Sequence, residues 1–307
     1  MEGVVMKSTG SWYHVYADGE EFQCRTRGKL RLKGYKVTNP IAVGDQVVFE
    51  LDKTSDEQTG VITQILPRHN YIIRKSIHKT GHSHLIASNI DQAMIVATVA
   101  YPRTSLGFID RFAVAAESFR IPVILVFNKI DILDEKGISY VDELIELYEN
   151  IGVKCLKVSA IEEKGIAEVE AVLKNKRTLI AGHSGVGKST LINKINPEIN
   201  QKIGEVSEFA QKGTHTTTFA HMFELEDNTF IIDTPGIKEY GLVEMSDQEL
   251  SDYFPEMRAL IGQCKFHDCT HTHEPGCAVL DAVENGVIAP SRYISYLSIL
   301  EDDDNRR

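Results

Sequence analysis

The chain has 307 residues, of which 42% are hydrophobic, and its formal net charge at pH 7 is −11. This length predicts two or three domains with packed cores, and the overall acidity argues against a generally basic nucleic-acid binder. No run of about 18 apolar residues occurs, and the N-terminus lacks the basic-then-apolar pattern of a secretion signal. We therefore expect a cytoplasmic protein that does not cross a membrane. Its five cysteines, an odd number, argue against a disulfide scaffold.

The N-terminal segment contains several short runs that are typical of β-strands. They lie at residues 3–16, around 22–24, at 46–50 and at 60–65, and they are rich in Val, Tyr, Phe and Ile with turn residues between them. Several short strands within about 70 residues predict a small β-barrel.

A basic segment lies among these strands. It carries six basic residues and no acidic one: Arg25, Arg27, Lys29, Arg31, Lys33 and Lys36. Residues 1–87 as a whole hold 12 Lys/Arg against 9 Asp/Glu, so the acidic excess of the chain lies elsewhere. Because positive charge is concentrated here, we expect the segment to contact nucleic-acid phosphates, with a solvated surface loop as the alternative.

Residues 122–127 form a continuous apolar run, typical of a strand buried on both faces, that ends in Asn128-Lys129-Ile130-Asp131. The Asp131 carboxylate can accept hydrogen bonds from guanine N1 and N2 together, a pairing that adenine cannot offer. Asn128 can hold the base edge, and the stem of Lys129 can cover the ring. Taken alone, the motif could also be a solvated loop.

A second apolar strand, residues 153–158, leads into Ser159 and Ala160, where a backbone N–H could meet guanine O6. A helix over residues 165–176 then runs into a short apolar strand over residues 178–181.

That strand leads directly into a glycine-rich motif of the form G-x-x-x-x-G-K-S, followed by a helical segment. Its backbone N–H groups can surround the β- and γ-phosphates, Lys188 supplies a positive charge, and the Ser189 hydroxyl can ligate Mg²⁺. The predicted contacts are Gly182, His183, Ser184, Gly185, Val186, Gly187, Lys188, Ser189 and Thr190. With this motif in the same chain, Asn128–Asp131 is no longer well explained as a solvated loop, and the predicted ligand is GTP.

Two further motifs follow the phosphate loop. Asp233, at the end of an apolar strand, is suited to Mg²⁺, and the N–H of Gly236 in D-T-P-G is suited to the γ-phosphate. One threonine of residues 216–218 should complete the metal shell, and we select Thr217.

The position that carries a water-orienting glutamine in Ras-like enzymes is Ile237, which cannot form a side-chain hydrogen bond. His215, just before the threonines, is the candidate catalytic residue, because an imidazole can reach the γ-phosphate and is neutral or half-charged near pH 7. A solvent-facing loop histidine is the alternative.

The order of the parts is unusual, because the guanine-reading motifs precede the phosphate loop instead of following it. The helix over residues 165–176 joins what would ordinarily be the two ends of the domain. The sequence therefore predicts a circularly permuted GTPase domain.

Three of the cysteines fall with a histidine in the spacing C-x4-C-x-H-x5-C: Cys264, Cys269, His271 and Cys277. Three thiolates and one imidazole can close a tetrahedral structural zinc site, with free thiols or a catalytic metal as alternatives. His267 and His273 are additional candidates that we expect to be exposed. Residues 291–300 have helical apolar spacing, and we expect this helix to pack on the zinc unit.

The motif order, with His183–Ser189, residues 212–218, Asp233–Gly236 and the Cys/His cluster, resembles one family closely: the bacterial circularly permuted GTPases of the ribosome small-subunit-dependent GTPase A (RsgA/YjeQ) group. The resemblance covers nearly the whole chain. It implies an OB-fold for the barrel, binding to 16S rRNA of the 30S subunit, and zinc ligation by Cys264, Cys269, His271 and Cys277.

The expected fold is thus multidomain. It comprises an N-terminal all-β OB-fold barrel (1–80), a central α/β circularly permuted P-loop GTPase domain (81–240) and a small α-helical zinc-binding domain with a C-terminal helix (241–307). We expect a monomer that binds GTP and GDP with Mg²⁺ and one structural Zn²⁺.

The expected function is a GTP hydrolase activated by the 30S subunit, acting late in small-subunit assembly with nucleotide-dependent rRNA binding. The alternative is a GTP-regulated RNA-binding scaffold whose hydrolysis is incidental.

Overall fold

The computed structural model describes residues 1–9, 12–26, 40–52, 58–75, 83–197, 199, 220–226, 228–233 and 247–301. None of the helices in these ranges combines the length and the apolar character that a membrane span needs.

The N-terminal residues form a closed five-stranded barrel. Its strands are β1 (Glu2–Ser8), β2 (Tyr13–Ala17), β3 (Glu20–Thr26), β4 (Gln46–Leu51) and β5 (Thr59–Ile65). They are hydrogen-bonded in the order β1-β2-β3-β5-β4, and β4 returns to β1. All neighbours are antiparallel except β3 and β5. This is the small barrel that the sequence predicts, with the OB-fold that the resemblance implies. The run at residues 3–16 forms two paired strands rather than one.

The barrel core follows from alternation along each strand. In β2, for example, Tyr13, Val15 and Ala17 are buried while the residues between them are partly exposed. The inward side chains of the five strands pack into one cluster that includes Val5, Val15, Phe22, Val47, Phe49 and Ile62.

A hairpin of β6 (Tyr71–Lys75) and β7 (Ser83–Ser88) connects the barrel to the central domain. The barrel also touches the central sheet directly, where Lys7 of β1 pairs with His221 of the edge strand described next. The sequence indicates neither connection.

Within the described residues, the central sheet holds six strands: β8 (Gln92–Ala97), β9 (Val123–Phe127), β10 (Lys154–Lys157), β11 (Arg177–Ala181), β12 (His221–Glu226) and β13 (Thr229–Asp233). Their order is β10-β9-β8-β11-β13-β12, and all pairs are parallel except β12 with β13. Strand β8 is buried on both faces, which accounts for its continuous apolar sequence.

Helices cover both faces of this sheet. On one face, α1 (Leu106–Ser118) and α2 (Glu135–Glu149) pack on Ala93, Ile95 and Leu125. On the other, α3 (Ile166–Leu173) and α4 (Lys188–Ile195) pack on Met94, Val96 and Ile180. Helix α3 is shorter than the helix predicted over residues 165–176, because Gly165 has a left-handed backbone and Lys174 is non-helical.

The C-terminal unit is a set of short helices. They are α5 (Asp247–Leu250), a 3₁₀ turn (Ser251–Tyr253), α6 (Pro255–Arg258), α7 (Ala278–Glu284) and α8 (Pro290–Leu300). Its apolar cluster contains Leu250, Phe254, Met257, Val279 and Tyr296, and also Val114 from α1. The three-part architecture expected from the sequence is confirmed.

A buried ion pair joins the barrel to the segment that follows it. Asp45 is fully buried, and its two carboxylate oxygens accept from Arg68 Nε at 2.6 Å and Nη2 at 2.5 Å. The same carboxylate accepts from the Ser88 hydroxyl at 2.5 Å and the Ala42 amide at 2.8 Å. Four hydrogen bonds from three parts of the chain therefore converge on one carboxylate.

We expect Asp45→Ala to lower the free energy of unfolding by about 3–5 kcal/mol, because Arg68, whose side chain is only 11% exposed, would be left without its counter-charge. Urea denaturation followed by circular dichroism measures the change. Asp142→Ala is the matched control, since Asp142 pairs with Lys157 on the surface, where both side chains are about half exposed. Equal loss of stability in the two variants would show that the Asp45–Arg68 ion pair contributes no more than a surface pair.

Candidate functional site

The phosphate loop follows β11 as the motif predicts, and its backbone requires glycine at two positions. Gly182 and Gly187 have φ of +143° and +95°. A Cβ at Gly182 would lie 2.3 Å from the Val96 carbonyl oxygen, and one at Gly187 would lie 2.3 Å from Asn128 Nδ2. No larger residue fits at either position without moving the neighbouring strand or the Asn128 side chain.

Lys188 lies inside this loop. Its ammonium group donates to the carbonyl oxygens of Gly182 at 2.6 Å and His183 at 2.8 Å. Burial lowers the pKa of Lys188, and the negative charge of Asp233 opposes that shift. Ser184, Ser189 and Thr190 on the same loop are exposed. The loop thus holds a partly buried cation beside exposed hydroxyl groups, an arrangement suited to binding an anion.

Asn128 joins the phosphate loop to both guanine-reading segments. It is 3% exposed, its Nδ2 donates to the Val186 carbonyl at 2.8 Å, and its Oδ1 accepts from the Ala160 amide at 3.2 Å. The structure gives the amide group of Asn128 a bridging role between these segments, and its contact with the base stays a prediction.

The two guanine-reading loops also contact each other. Ser159 is fully buried and its hydroxyl donates to Asp131 Oδ1 at 2.5 Å, which orients the carboxylate. Lys129 has a left-handed backbone and its Nζ donates to the Tyr101 carbonyl at 2.8 Å. Its stem lies near the phosphate loop, with Cε 3.9 Å from an ideal Cβ on Gly187. The predicted contact of the Ala160 amide with guanine O6 would require it to share or exchange its bond to Asn128.

Asp233 lies at the end of β13 and pairs in register with Ile180, two residues before Gly182. This places its carboxylate beside the phosphate loop, as a magnesium role requires. The other predicted residues of this part, His215, Thr217 and Gly236, lie outside the described residues.

Sequence reasoning missed the loop after β8. Pro102, in a cis peptide bond with Tyr101, lies 3.5 Å from an ideal Cβ on Gly185. Thr98 and Thr104 close the loop, with Thr104 N donating to the Thr98 carbonyl at 2.8 Å. This loop could have been identified by its position after a strand, because ligands of parallel sheets bind at the carboxyl ends of the strands.

The four predicted metal ligands converge. The ligand atoms of Cys264, Cys269, His271 and Cys277 all lie within 4.8 Å of one another. Cys264 Sγ is 4.0 Å from Cys277 Sγ, and His271 Nδ1 is 3.3 Å from Cys277 Sγ. A tetrahedral zinc site with Zn–S bonds of about 2.3 Å has sulfur–sulfur edges of roughly 3.8 Å. Three sulfurs and one nitrogen at these separations fit such an ion.

The protonation states also fit a metal site. Burial lowers the pKa of His271, which favours the neutral imidazole that a metal binds. Burial raises the pKa of Cys269 to about 12, so its thiolate requires a cation for stabilisation. In the described part of the chain, His267 and His273 are not members of the cluster, and both are exposed as expected.

Glu274 and two tyrosines hold the loop that carries His271. Glu274 accepts from the Thr270 amide at 2.7 Å, the Thr270 hydroxyl at 2.6 Å and the Thr272 amide at 3.0 Å. Although burial acts to raise the pKa of Glu274, these hydrogen bonds hold it well below its usual value. From α8, Tyr293 and Tyr296 donate to the backbone carbonyls of His271 and Thr270. The predicted packing of this helix on the metal unit is confirmed.

Arg25 is the one residue of the predicted basic segment that lies in the described part of the chain. It is exposed on β3, and its guanidinium lies 3.7 Å from the centroid of the Trp12 ring. Outside the described residues lie Arg27, Lys29, Arg31, Lys33 and Lys36.

Two family models match the chain, the RsgA GTPase over residues 65–243 and the RsgA N-terminal domain over residues 2–62. The chain belongs to the RsgA GTPase family. It is accordingly a GTP-hydrolysing enzyme, and the family expected from the order of its motifs is confirmed.

Relatives of this RsgA GTPase match along its whole length. The small ribosomal subunit biogenesis GTPase RsgA 2 of Bacteroides thetaiotaomicron is 51% identical over 98% of this chain and 97% of its own. The small ribosomal subunit biogenesis GTPase RsgA of Flavobacterium psychrophilum is 51% identical over 99% of this chain and 94% of its own.

Two solved structures share the fold. YjeQ from Thermotoga maritima superposes with a TM-score of 0.77 at 35% identity, covering 100% of this chain and 99% of its own. YloQ, described as a circularly permuted GTPase, has a TM-score of 0.73 at 27% identity, with 100% and 96% coverage.

We expect Asp131→Asn to weaken GTP binding on the order of tenfold to a hundredfold, because guanine N1 and N2 lose a charged acceptor. The variant should gain affinity for xanthosine triphosphate, whose base presents an acceptor where guanine has its amino group. Competition against a fluorescent GDP derivative measures both constants. Glu162→Gln, a carboxylate-to-amide change in the neighbouring loop, should leave both unchanged. If Asp131→Asn left the preference for GTP over xanthosine triphosphate unaltered, Asp131 would not contact the base.

We expect the metal-loaded protein to expose no fast-reacting thiol, and a chelator to release three, from Cys264, Cys269 and Cys277. The other two cysteines should react only after denaturation, because burial raises the pKa of Cys24 to about 11 and of Cys155 to about 12. Titration with a chromogenic disulfide reagent counts the thiols. Cys155→Ser should leave the released number at three. Three fast thiols before chelation would mean that these cysteines are free.

Proposed function

We propose that this protein is a GTP hydrolase of small-subunit ribosome assembly that is activated by the 30S particle. The observation that carries the proposal is the junction at Asn128, which joins a phosphate loop to two loops suited to guanine. Relatives named small ribosomal subunit biogenesis GTPases, about half identical along the whole chain, support the biological role.

In this proposal the nucleotide lies along the carboxyl ends of β9, β10 and β11. Asp131 reads the base, and the Ser159–Asp131 hydrogen bond keeps its carboxylate oriented. Lys188 and the amides of the phosphate loop hold the phosphates, with Gly236 at the γ-phosphate. Ser189 and Thr217 would hold Mg²⁺, with Asp233 close by, and the ion would stabilise the negative charge that develops on the β-phosphate of the departing GDP.

The metal of the C-terminal unit is proposed to be Zn²⁺. Four soft or imidazole ligands with no carboxylate among them favour zinc over magnesium or calcium. With all four positions supplied by the protein, the ion would order the loop over residues 264–277 and take no part in hydrolysis. We also propose that the three domains span residues 1–80, 81–240 and 241–307.

The proposed partner is 16S rRNA of the 30S subunit, bound in a nucleotide-dependent way by a cytoplasmic monomer. The exposed Arg25 and the partly buried Trp12 offer a cation and an aromatic ring, and five further basic residues follow Arg25 in sequence. Because positive charge is concentrated in this segment of an otherwise acidic chain, the protein would contact RNA through this face.

Hydrolysis by the free protein should be slow, because Ile237 cannot orient the attacking water. His215 is the proposed substitute, brought to the γ-phosphate when the particle binds. The alternative function, a GTP-regulated RNA-binding scaffold with incidental hydrolysis, is favoured by the same Ile237.

The test is GTP turnover measured by phosphate release, with and without purified 30S particles. We expect stimulation of at least tenfold, and we expect His215→Ala to remove most of it while leaving GDP affinity unchanged. General-base assistance is typically worth about 10²–10⁴-fold, so the loss should be large. His273→Ala, an exposed histidine away from the nucleotide, is the control. Binding to 30S without any stimulation would favour the scaffold, and stimulated turnover that survives His215→Ala would refute the role of His215.

A further inference from the structure

Helix α1 contacts the phosphate loop at its N-terminal end. The Phe108 ring packs on the imidazole of His183, with ring centroids 4.1 Å apart and planes inclined by 36°. Ser105 caps the start of this helix, directly after the loop that touches Gly185, and its hydroxyl accepts from the Phe108 amide. A displacement of α1 would therefore move a side chain that packs against the phosphate loop.

The same helix belongs to the C-terminal unit on its other side. Val114 is 1% exposed and packs in the apolar cluster of that unit. One turn earlier, Asp110 is fully buried, and its Oδ1 accepts from Arg292 Nη1 of α8 at 2.6 Å. Helix α1 is thus shared between the GTPase core and the C-terminal unit.

Arg292 is the centre of a buried polar network. It is 2% exposed, its Nε donates to Glu256 Oε1 at 2.7 Å, and its guanidinium carbon lies 4.7 Å from the centroid of the Phe254 ring. Tyr148 of α2 donates to the same Asp110 oxygen at 2.8 Å. Among the described residues, Asp110 Oδ2 has no hydrogen-bond partner, so the charge of Asp110 depends on Arg292 and Tyr148.

Helix α8 carries this network to the metal-binding loop. The residue after Arg292, Tyr293, donates through its hydroxyl to the His271 carbonyl at 2.7 Å. One turn further, Tyr296 donates to the Thr270 carbonyl at 2.8 Å. Three contacts therefore connect the metal ligand His271 to His183: Tyr293 with His271, Arg292 with Asp110, and Phe108 with His183. The backbone of α8 joins the first contact to the second, and the backbone of α1 joins the second to the third.

We propose that Asp110 and Arg292 are positioning residues that couple the metal-binding loop to the phosphate loop, so that nucleotide binding and metal retention strengthen each other. The inference rests on the proposed GTP and metal sites and adds their mutual dependence.

We expect the Asp110–Arg292 pair to couple the two sites, and not only to hold α1 against α8, because both side chains are buried. A buried ion pair must keep its geometry, because a small separation leaves two charges in a medium that does not solvate them. Rigid packing then transmits a shift of α8 to α1 instead of absorbing it. A second ion pair joins the same two parts, Glu117 of α1 with Arg258 of the C-terminal unit, but both side chains are more than one-third exposed. Water screens that pair, and it should transmit little.

The test uses full-length, metal-loaded protein and two measurements. One is the Kd of a fluorescent GDP derivative, and the other is the rate of Zn²⁺ transfer to a chromogenic chelator with and without saturating GDP. In the unaltered protein we expect GDP to slow transfer at least fivefold, the lower end of ordinary coupling between sites. Asp110→Asn should weaken GDP binding about fivefold and abolish the protection by GDP. Glu117→Gln, on the same helix and in the exposed pair, should change each value less than twofold.

A purely structural role for Asp110 would lower the melting temperature and leave the GDP protection intact. That outcome, in a folded Asp110→Asn protein with GDP affinity within twofold of the original, would overturn the proposal. If Asp110→Asn does not fold, Tyr293→Phe removes a single hydroxyl at the other end of the chain of contacts and should reduce the protection by GDP. Unaltered protection in Tyr293→Phe would overturn the proposal in that case.

The unaltered protein separates this inference from the proposed function. If it binds GDP but GDP leaves Zn²⁺ transfer unchanged, the coupling is wrong and the GTPase assignment stands. If it binds no guanine nucleotide in the same titration, the proposed function itself fails.

Discussion

One buried amide holds the candidate active site together. Asn128 follows strand β9, and its side chain bonds to Val186 in the phosphate loop and to Ala160 in the second guanine-reading loop. Both partners are main-chain groups in the loops that follow other strands, Val186 after β11 and Ala160 after β10, so three separate segments are joined by one planar group. An aspartate could not donate to Val186, and a glutamine would be too long for the space beside Gly187, where Asn128 Nδ2 already lies 2.3 Å from an ideal Cβ. The phosphate-binding and base-reading halves of the site are therefore parts of one hydrogen-bonded unit.

Much of this architecture was predictable, because its signals are local. Strands β9 and β11 are buried on both faces, so their sequences are continuous apolar runs, and the guanine-reading and phosphate-loop motifs follow directly at their carboxyl ends. The spacing of Cys264, Cys269, His271 and Cys277 likewise lies within a short loop, and the structure brings all four ligand atoms together. The boundaries were less accurate, as at α3, where Gly165 and Lys174 bound the helix and leave it four residues shorter than predicted.

The missed features are contacts between residues far apart in sequence. The bond from Asn128 to Val186 spans 58 positions, and the pair of Asp110 with Arg292 spans 182. Nothing local distinguishes Asp110 from the solvated carboxylates of an acidic chain, because its burial depends on how α8 packs against α1. The sequence predicts that residues 291–300 form a helix packed on the metal-binding unit, and Tyr296 packs there as predicted. The same helix also carries Arg292, whose role appears only when Asp110 and Glu256 are placed beside it.

Circular permutation gives the strand order a mechanical consequence. Strand β11, which carries the phosphate loop, lies between β8 and β13 in the sheet. In this chain the barrel and hairpin precede β8, and the C-terminal unit follows β13. Both outer parts are thus attached to strands that hydrogen-bond to the phosphate-loop strand on either side. In the unpermuted order, β11 would begin the domain and neither neighbour would carry an appended part. Because both neighbours of β11 hydrogen-bond to it directly, a movement of the barrel or of the C-terminal unit would need only one strand-to-strand contact to reach the nucleotide site, and the Asp110–Arg292 pair offers a second route on the C-terminal side.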